Sequence, residues 1–307
     1  MSAPRGGDVD GARRNLLRAG VHVAAGTAMG GLAAREPRAH AAETVSAARR
    51  REFLASDGVR LSCLDSVANP RDGVPTLVLV PGWSMPGSIW RAQIEGLAPY
   101  FRVVAMDPRG QGESEVARDG YTAERRARDI AELVAPLGRV VLVGWSLAVL
   151  ESLQLVKQSG EAQLAALVLV DNSVGEPPAP APSDFIRNLR ADRRGTLERF
   201  CRSMFAKTRP EAEIRELVDG ALRMPLQASV ALLSYPYPRE YWRDIARSCR
   251  APLAYVVGRA FEAQARSLAQ HRQGTLVEVF ADAGHALFVD QPERFNAVLR
   301  GIAERSA

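Results

Sequence analysis

A chain of 307 residues with 47% hydrophobic and 24% charged side chains has the composition of a folded protein with a sizeable core. Its formal charge of +5 gathers at the front, where residues 1–41 carry six Arg against three acids, and the rest is nearly neutral. No basic stripe with interleaved aromatics follows, so nucleic acid is set aside as a partner.

In chain order, the first signal is Arg13-Arg14-Asn15-Leu16-Leu17-Arg18, which resembles the bacterial twin-arginine export signal. A mildly apolar run over 19–34, diluted by four glycines, is too short and too weakly apolar to make a stable membrane span. Arg35 and Arg38 then precede Ala39-His40-Ala41, a small-x-small cleavage site. This order predicts a signal peptide over 1–41, export by the twin-arginine machinery to the periplasm or medium, and a mature start near Ala42. The competing reading is a frayed Arg/Ala-rich terminus of a cytoplasmic enzyme. Three cysteines, Cys63, Cys201 and Cys249, allow at most one internal disulfide, and Cys201–Cys249 is a pairing the sequence leaves open.

From Arg51 onward, short β-branched runs alternate with amphipathic helices. Residues 51–55 and 59–64 predict a hairpin around Asp57-Gly58. Runs at 76–80, 103–106, 140–143, 167–170 and 253–257 are nearly all apolar, as strands buried on both faces must be. A last strand is expected over 275–280. Helices are expected over 89–97, 123–133, 147–157, 262–270 and 292–304. The pattern predicts a doubly wound, mostly parallel α/β sheet. The rhythm breaks over 172–251, which opens with Pro177, Pro178, Pro180 and Pro182 and then turns helical. We read it as a helical cap inserted after the sixth strand, with 42–171 and 252–307 forming the core.

Gly144-Trp145-Ser146-Leu147-Ala148 follows one of these strands and opens a helix, the context of a nucleophile elbow. The bland alternative for Ser146 is an ordinary helix N-cap. A second Gly-Trp-Ser, Gly82-Trp83-Ser84, leads into a loop, Met85-Pro86-Gly87, and its place matches an oxyanion loop. A tetrahedral oxyanion needs two aimed N–H donors, and the backbones of Trp83 and Leu147 are expected to supply them. Of four histidines, His22 and His40 fall in the signal and His271 ends a polar helix, leaving His285 as the general base. Two histidines outside the signal are too few for a multi-His zinc site, and no metal or cofactor is expected.

The segments PGWSMPGSIW, MDPRGQGES, GWSLA and GHALFVDQPERF occur in the order and spacing of the α/β-hydrolase superfamily, which the chain resembles from about Arg51 to Ile302. PGWS with GWSLA is locally similar to pimeloyl-carrier methyl esterases and related carboxylesterases. Pro81 departs from the His that often precedes this Gly, which implies a missing support for the oxyanion loop. The resemblance also implies an acid to orient His285. The usual Asp position is occupied by Phe261, so two candidates stay open: Asp171, directly after a strand, and Glu262, one residue late. Asp171 has its own bland reading, as an acid binding turn amides. Asp107 and Arg109, in MDPRG, read as structural.

The leading expectation is a serine hydrolase that cleaves a carboxylic ester or related acyl bond through an acyl-enzyme. Alternatives are cofactor-free perhydrolysis of the haloperoxidase kind and a non-catalytic ligand-binding protein on this scaffold. Leu232, Leu233, Tyr235, Tyr237, Tyr241 and Trp242 suggest a small-molecule substrate with an apolar or aromatic moiety; equally, they suit the cap's own core.

Overall fold

The apolar runs become the middle of one sheet because each strand must be covered on two faces. A computed structural model describes residues 48–67 and 73–307; the expected signal segment, 1–41, lies outside the described residues. The strands are β1 (Arg49–Leu54), β2 (Arg60–Asp65), β3 (Thr76–Val80), β4 (Val103–Asp107), β5 (Val140–Trp145), β6 (Leu164–Val170), β7 (Leu253–Val257) and β8 (Leu276–Val279). Their order is β1-β2-β4-β3-β5-β6-β7-β8. β1 and β2 pair antiparallel, as do β2 and β4, and every later pairing is parallel. Residues of β3 to β7 are buried throughout, whereas the edge strands β1 and β8 are largely exposed or half-buried.

Alternate residues of each strand enter different cores. Leu77 and Leu79 pack with Ile94, Leu97, Phe295 and Leu299, on helices α1 (Arg91–Leu97) and, at the chain's end, Pro292–Arg305. Val78 and Val80 face α2 (Ala123–Val134) and α3 (Leu147–Ser159) through Ile130, Leu133, Val149 and Leu153. Helices on both faces of the sheet are the doubly wound arrangement expected from the alternating runs. The first helix starts at Arg91, two residues later than expected, because Gly87–Trp90 forms a tighter helical turn. β6 begins three residues earlier than its apolar run suggested, since Ala165 and Ala166 are poor strand formers yet lie fully inside.

Between β6 and β7 lie α4 (Phe185–Ala191), α5 (Arg193–Ser203), α6 (Glu211–Leu222), α7 (Leu226–Ala231) and α8 (Arg239–Ser248). The chain then completes the core with α9 (Glu262–His271), the short α10 (Leu287–Asp290) and α11 (Pro292–Arg305). No helix among the described residues is long and apolar enough to cross a membrane. Cys63, Cys201 and Cys249 are buried free thiols, so the open Cys201–Cys249 pairing is not made. Burial pushes the Cys201 and Cys249 thiols up to about 12.

The sheet order fixes where chemistry can sit. The chain leaves β3 for β4 on one side and returns to β5 on the other, and ligands in such sheets bind beyond the carboxyl ends of strands at this reversal. β3 and β5 are paired, with Val80 opposite Gly144, so the loops that leave them start side by side.

Candidate active site

Ser146 sits where β5 turns into α3, with φ 56° and ψ −122°. That positive φ is uncommon for a non-glycine residue and must be held by its surroundings. Ser146 N–H donates to the Val170 carbonyl at 2.8 Å, and Asn172 Nδ2 donates to the Ser146 carbonyl at 2.9 Å. A Cβ on Gly144 would lie 2.5 Å from the Ala148 carbonyl oxygen, so only glycine lets the strand pass this close to the helix. Ser146 occupies the N-cap position of α3, but its side chain makes no capping hydrogen bond. Oγ points instead to His285 Nε2, 2.9 Å away.

His285 lies in the loop after β8, and two contacts hold that loop. Trp145 Nε1 donates to the His285 carbonyl at 2.9 Å, and Asp290 accepts from Gly284 N–H at 2.8 Å. The ring's other nitrogen, Nδ1, is 2.7 Å from Asp171 Oδ2. Asp171 is 4% exposed and has φ 49°, which turns its side chain back over the sheet edge. Its second oxygen, Oδ1, accepts from Gly258 N–H at 2.6 Å. Asp171 thus makes the contacts that each reading calls for: one oxygen binds a backbone amide and the other faces the histidine. A carboxylate acceptor keeps the proton on Nδ1 and leaves the Nε2 lone pair toward the serine. Tyr255 lies beneath, donating to the Asn172 carbonyl at 2.5 Å; burial first, and the nearby Asp171 charge second, raise its phenol above the ordinary value.

Glu262 is placed elsewhere in its contacts. It stands at the start of α9 and pairs with Arg266 at 2.6 Å, an i,i+4 surface pair. His271 is exposed, its Nδ1 2.8 Å from the Ser267 carbonyl. Asp107 and Arg109 are structural: Asp107 accepts from Gly87 N–H, and the buried Arg109 makes a two-pronged pair with Asp129 at 2.6 and 2.8 Å.

The loop after β3 comes to the serine closely. A Cβ on Gly82 would lie 2.7 Å from Ser146 Cβ and 3.3 Å from Oγ. Trp83 Nε1 donates to the Ser229 carbonyl at 2.8 Å, and its ring meets Phe185 and Phe200 edge-on, so this loop is tied to α4, α5 and α7. Among the described residues neither the Trp83 nor the Leu147 backbone N–H donates to another protein group. Ser84 has φ 61°, and its buried Oγ has no partner.

A cavity of about 260 Å³ begins at Leu147 and is lined by Tyr121, Leu150, Glu151, Leu232 and Tyr235. Its apolar walls include two of the six aromatic and aliphatic residues singled out in the sequence. Of the other four, Leu233 is half-buried against the core that holds Leu77 and Leu79, Tyr237 stacks on Tyr241 at 4.2 Å, both meet the buried Trp242, and Tyr241 donates to Gln154 on α3. They are packing of the 172–251 segment against the core. Burial raises the Tyr235 phenol and the Glu151 carboxyl, the latter opposed by Arg126. A larger cleft of about 430 Å³, lined by Arg91, Glu95, Arg209 and Glu213 among others, contains none of the residues around Ser146.

Sequence reasoning passed over Trp145, Asn172, Asp290 and Gln111. Trp145 and Asn172 flank residues already singled out, and Asp290 lies in the quoted GHALFVDQPERF, so adjacency was the available signal. Gln111 lies in MDPRGQGES, but nothing local shows where its amide points.

A family model described as "Alpha/beta hydrolase family" matches residues 77–298. The chain is 27% identical over 259 residues to a pimeloyl-acyl-carrier-protein methyl ester esterase of Vibrio atlanticus, covering 75% of this chain and 95% of that protein. The enzyme of the same name from Aeromonas salmonicida is 30% identical over 255 residues, covering 74% and 94%. Among solved structures, an esterase from Exiguobacterium antarcticum superposes with a TM-score of 0.70 at 22% identity, covering 82% of this chain and 98% of that one.

Proposed function

Because this chain belongs to the alpha/beta hydrolase family, we propose that it is a serine hydrolase cleaving carboxylic esters, with Ser146 as nucleophile, His285 as base and Asp171 as the acid that orients it. The observation that carries the reading is the unbroken line from Ser146 Oγ to His285 Nε2 at 2.9 Å and from Nδ1 to Asp171 at 2.7 Å. In the first half-reaction Oγ attacks the ester carbonyl while Nε2 takes its proton. The carbonyl oxygen becomes an alkoxide that accepts from the Trp83 and Leu147 N–H groups. The imidazolium then protonates the departing alcohol, leaving an acyl-serine. Water repeats the sequence and releases the acid.

The curated relatives act, by name, on a methyl ester, which supports a carboxylic ester as the bond cleaved. The cavity beside Leu147 favours a substrate with an apolar or aromatic moiety. A non-catalytic scaffold is the weaker reading, since Asp171 stands in hydrogen-bond contact with His285. The test is a rate screen over p-nitrophenyl esters from acetyl to decanoyl, with lactones alongside. Turnover of at least one ester class is expected, and no turnover of any member contradicts the proposal.

Export by the twin-arginine route is proposed on Arg13, Arg14 and Ala39-His40-Ala41 alone. Changing both arginines to Lys is expected to trap full-length precursor in the cytoplasm, and the exported wild type should begin near Ala42. Exported, active protein that keeps Met1 or Ser2 contradicts it.

A further inference from the structure

We propose that Gln111, Arg126 and Glu151 form a buried brace that sets the spacing of the two oxyanion donors, Gln111 being the positioning residue for the Trp83 amide. The inference rests on the ester-hydrolase reading above and concerns how its oxyanion site is held.

The loop over 81–85 needs such a support. Pro81 has neither an N–H nor a polar side chain, Ser84 Oγ is buried without a partner, and Trp83 bonds outward to Ser229, so none of the loop's own side chains hydrogen-bonds its backbone. Gln111 does. Its Oε1 accepts from Ser84 N–H at 3.1 Å, and its Nε2 donates to the carbonyls of Gly82 at 3.0 Å and Met85 at 2.7 Å. The three bonds bracket Trp83 on both sides. Both partners of Oε1 are obligate donors and both partners of Nε2 obligate acceptors, so the amide has one orientation that fits.

The second donor to Oε1 is Arg126 Nη1, at 3.1 Å. Arg126, on α2, meets Glu151 through Nε at 3.1 Å and Nη2 at 3.3 Å. Glu151 is on α3, the helix whose first residue, Leu147, carries the other oxyanion donor. Gln111, Arg126 and Glu151 are each 1% exposed. The brace therefore runs from one donor's loop to the other donor's helix without crossing solvent. A hydrophobic side chain of similar volume would cost less to bury than this ion pair, which speaks for a role in geometry rather than in stability. Oxyanion donors act by being in place before charge develops, so a small displacement of one matters in the transition state far more than in the bound ester.

The test compares wild type with Gln111→Leu and Gln111→Glu, using p-nitrophenyl butyrate and an alkyl trifluoromethyl ketone, whose serine adduct carries the same oxyanion. For Gln111→Leu, kcat should fall by about 10²-fold with KM within a few-fold, and ketone affinity should fall in parallel with kcat. Gln111→Glu keeps the acceptor for Ser84 and Arg126 but loses both donations to carbonyls, so it should show the same split more weakly. It also serves if the leucine variant does not fold. Unchanged kcat and ketone affinity in a folded variant overturns the brace. So does a loss shared equally between KM and kcat, since that marks general loosening. A wild type that neither hydrolyses the ester nor binds the ketone overturns the hydrolase reading itself, and the brace with it.

Discussion

The two Gly-Trp-Ser segments leave paired strands of one sheet with a positive φ at each serine, yet they meet different neighbours. Ser84 and Ser146 have φ 61° and 56°, and each follows a buried tryptophan whose indole N–H donates to a distant carbonyl. What differs is the element that follows and the loop within reach. After Ser146 a helix begins, and the His285 loop presents Nε2 to Oγ. After Ser84 the chain stays a loop clamped by Gln111, and Oγ faces no partner. The tryptophans differ likewise: Trp145 holds the histidine loop, whereas Trp83 fastens its own loop to Ser229 on α7. Identical tripeptides thus differ by what packs against them, and a strained serine alone is no sign of a nucleophile.

The sharpest way to break this comparison is to exchange the serines' fates one at a time. Ser146→Ala is expected to lower kcat by about 10⁶-fold, as loss of a nucleophile does when only binding and oxyanion stabilisation remain. Retained esterase activity in a clean preparation would contradict the assignment. A smaller loss is expected from Asp171→Asn, on the order of 10⁴-fold in kcat, because the amide favours the wrong histidine tautomer while keeping shape. Glu262→Gln, which loses only a surface pair with Arg266, should change activity little; if it is the crippled variant, the acid is misassigned. The smallest effect belongs to Ser84→Ala. It removes a buried hydroxyl that has no partner, so activity should persist and stability should move by about 1 kcal/mol or less, measured by urea unfolding.

The sheet was legible because its chemistry is local. β3 and β7 have the limits their apolar runs predict, and the helix starts at Ala123, Leu147, Glu262 and Pro292 follow from periodicity with turn residues beside them. Ser146 and His285 could be singled out as candidates for a related reason: an elbow has a strand–turn–helix signature, and the other histidines could be eliminated. The choice between the two acids was not readable, since it turns on contacts: Asp171, with its positive φ after β6, meets His285, whereas Glu262 meets Arg266. Gln111 was beyond sequence for the same kind of reason. Its partners lie 26 to 29 residues back along the chain, brought near only when β4 docks beside β3. The aliphatic and aromatic residues after Ser229 were open between two readings, and the structure divides them, Leu232 and Tyr235 lining the cavity and Tyr237, Tyr241 and Trp242 packing on the core.

The central claim, that one of two near-identical serines is activated, is tested most directly by covalent labelling. Wild-type protein is treated with a fluorophosphonate probe, digested, and the adduct located by mass spectrometry. The account predicts one adduct per chain, on the peptide bearing Ser146, and none on Ser146→Ala. An adduct on Ser84, or undiminished labelling of the Ser146→Ala variant, would contradict it.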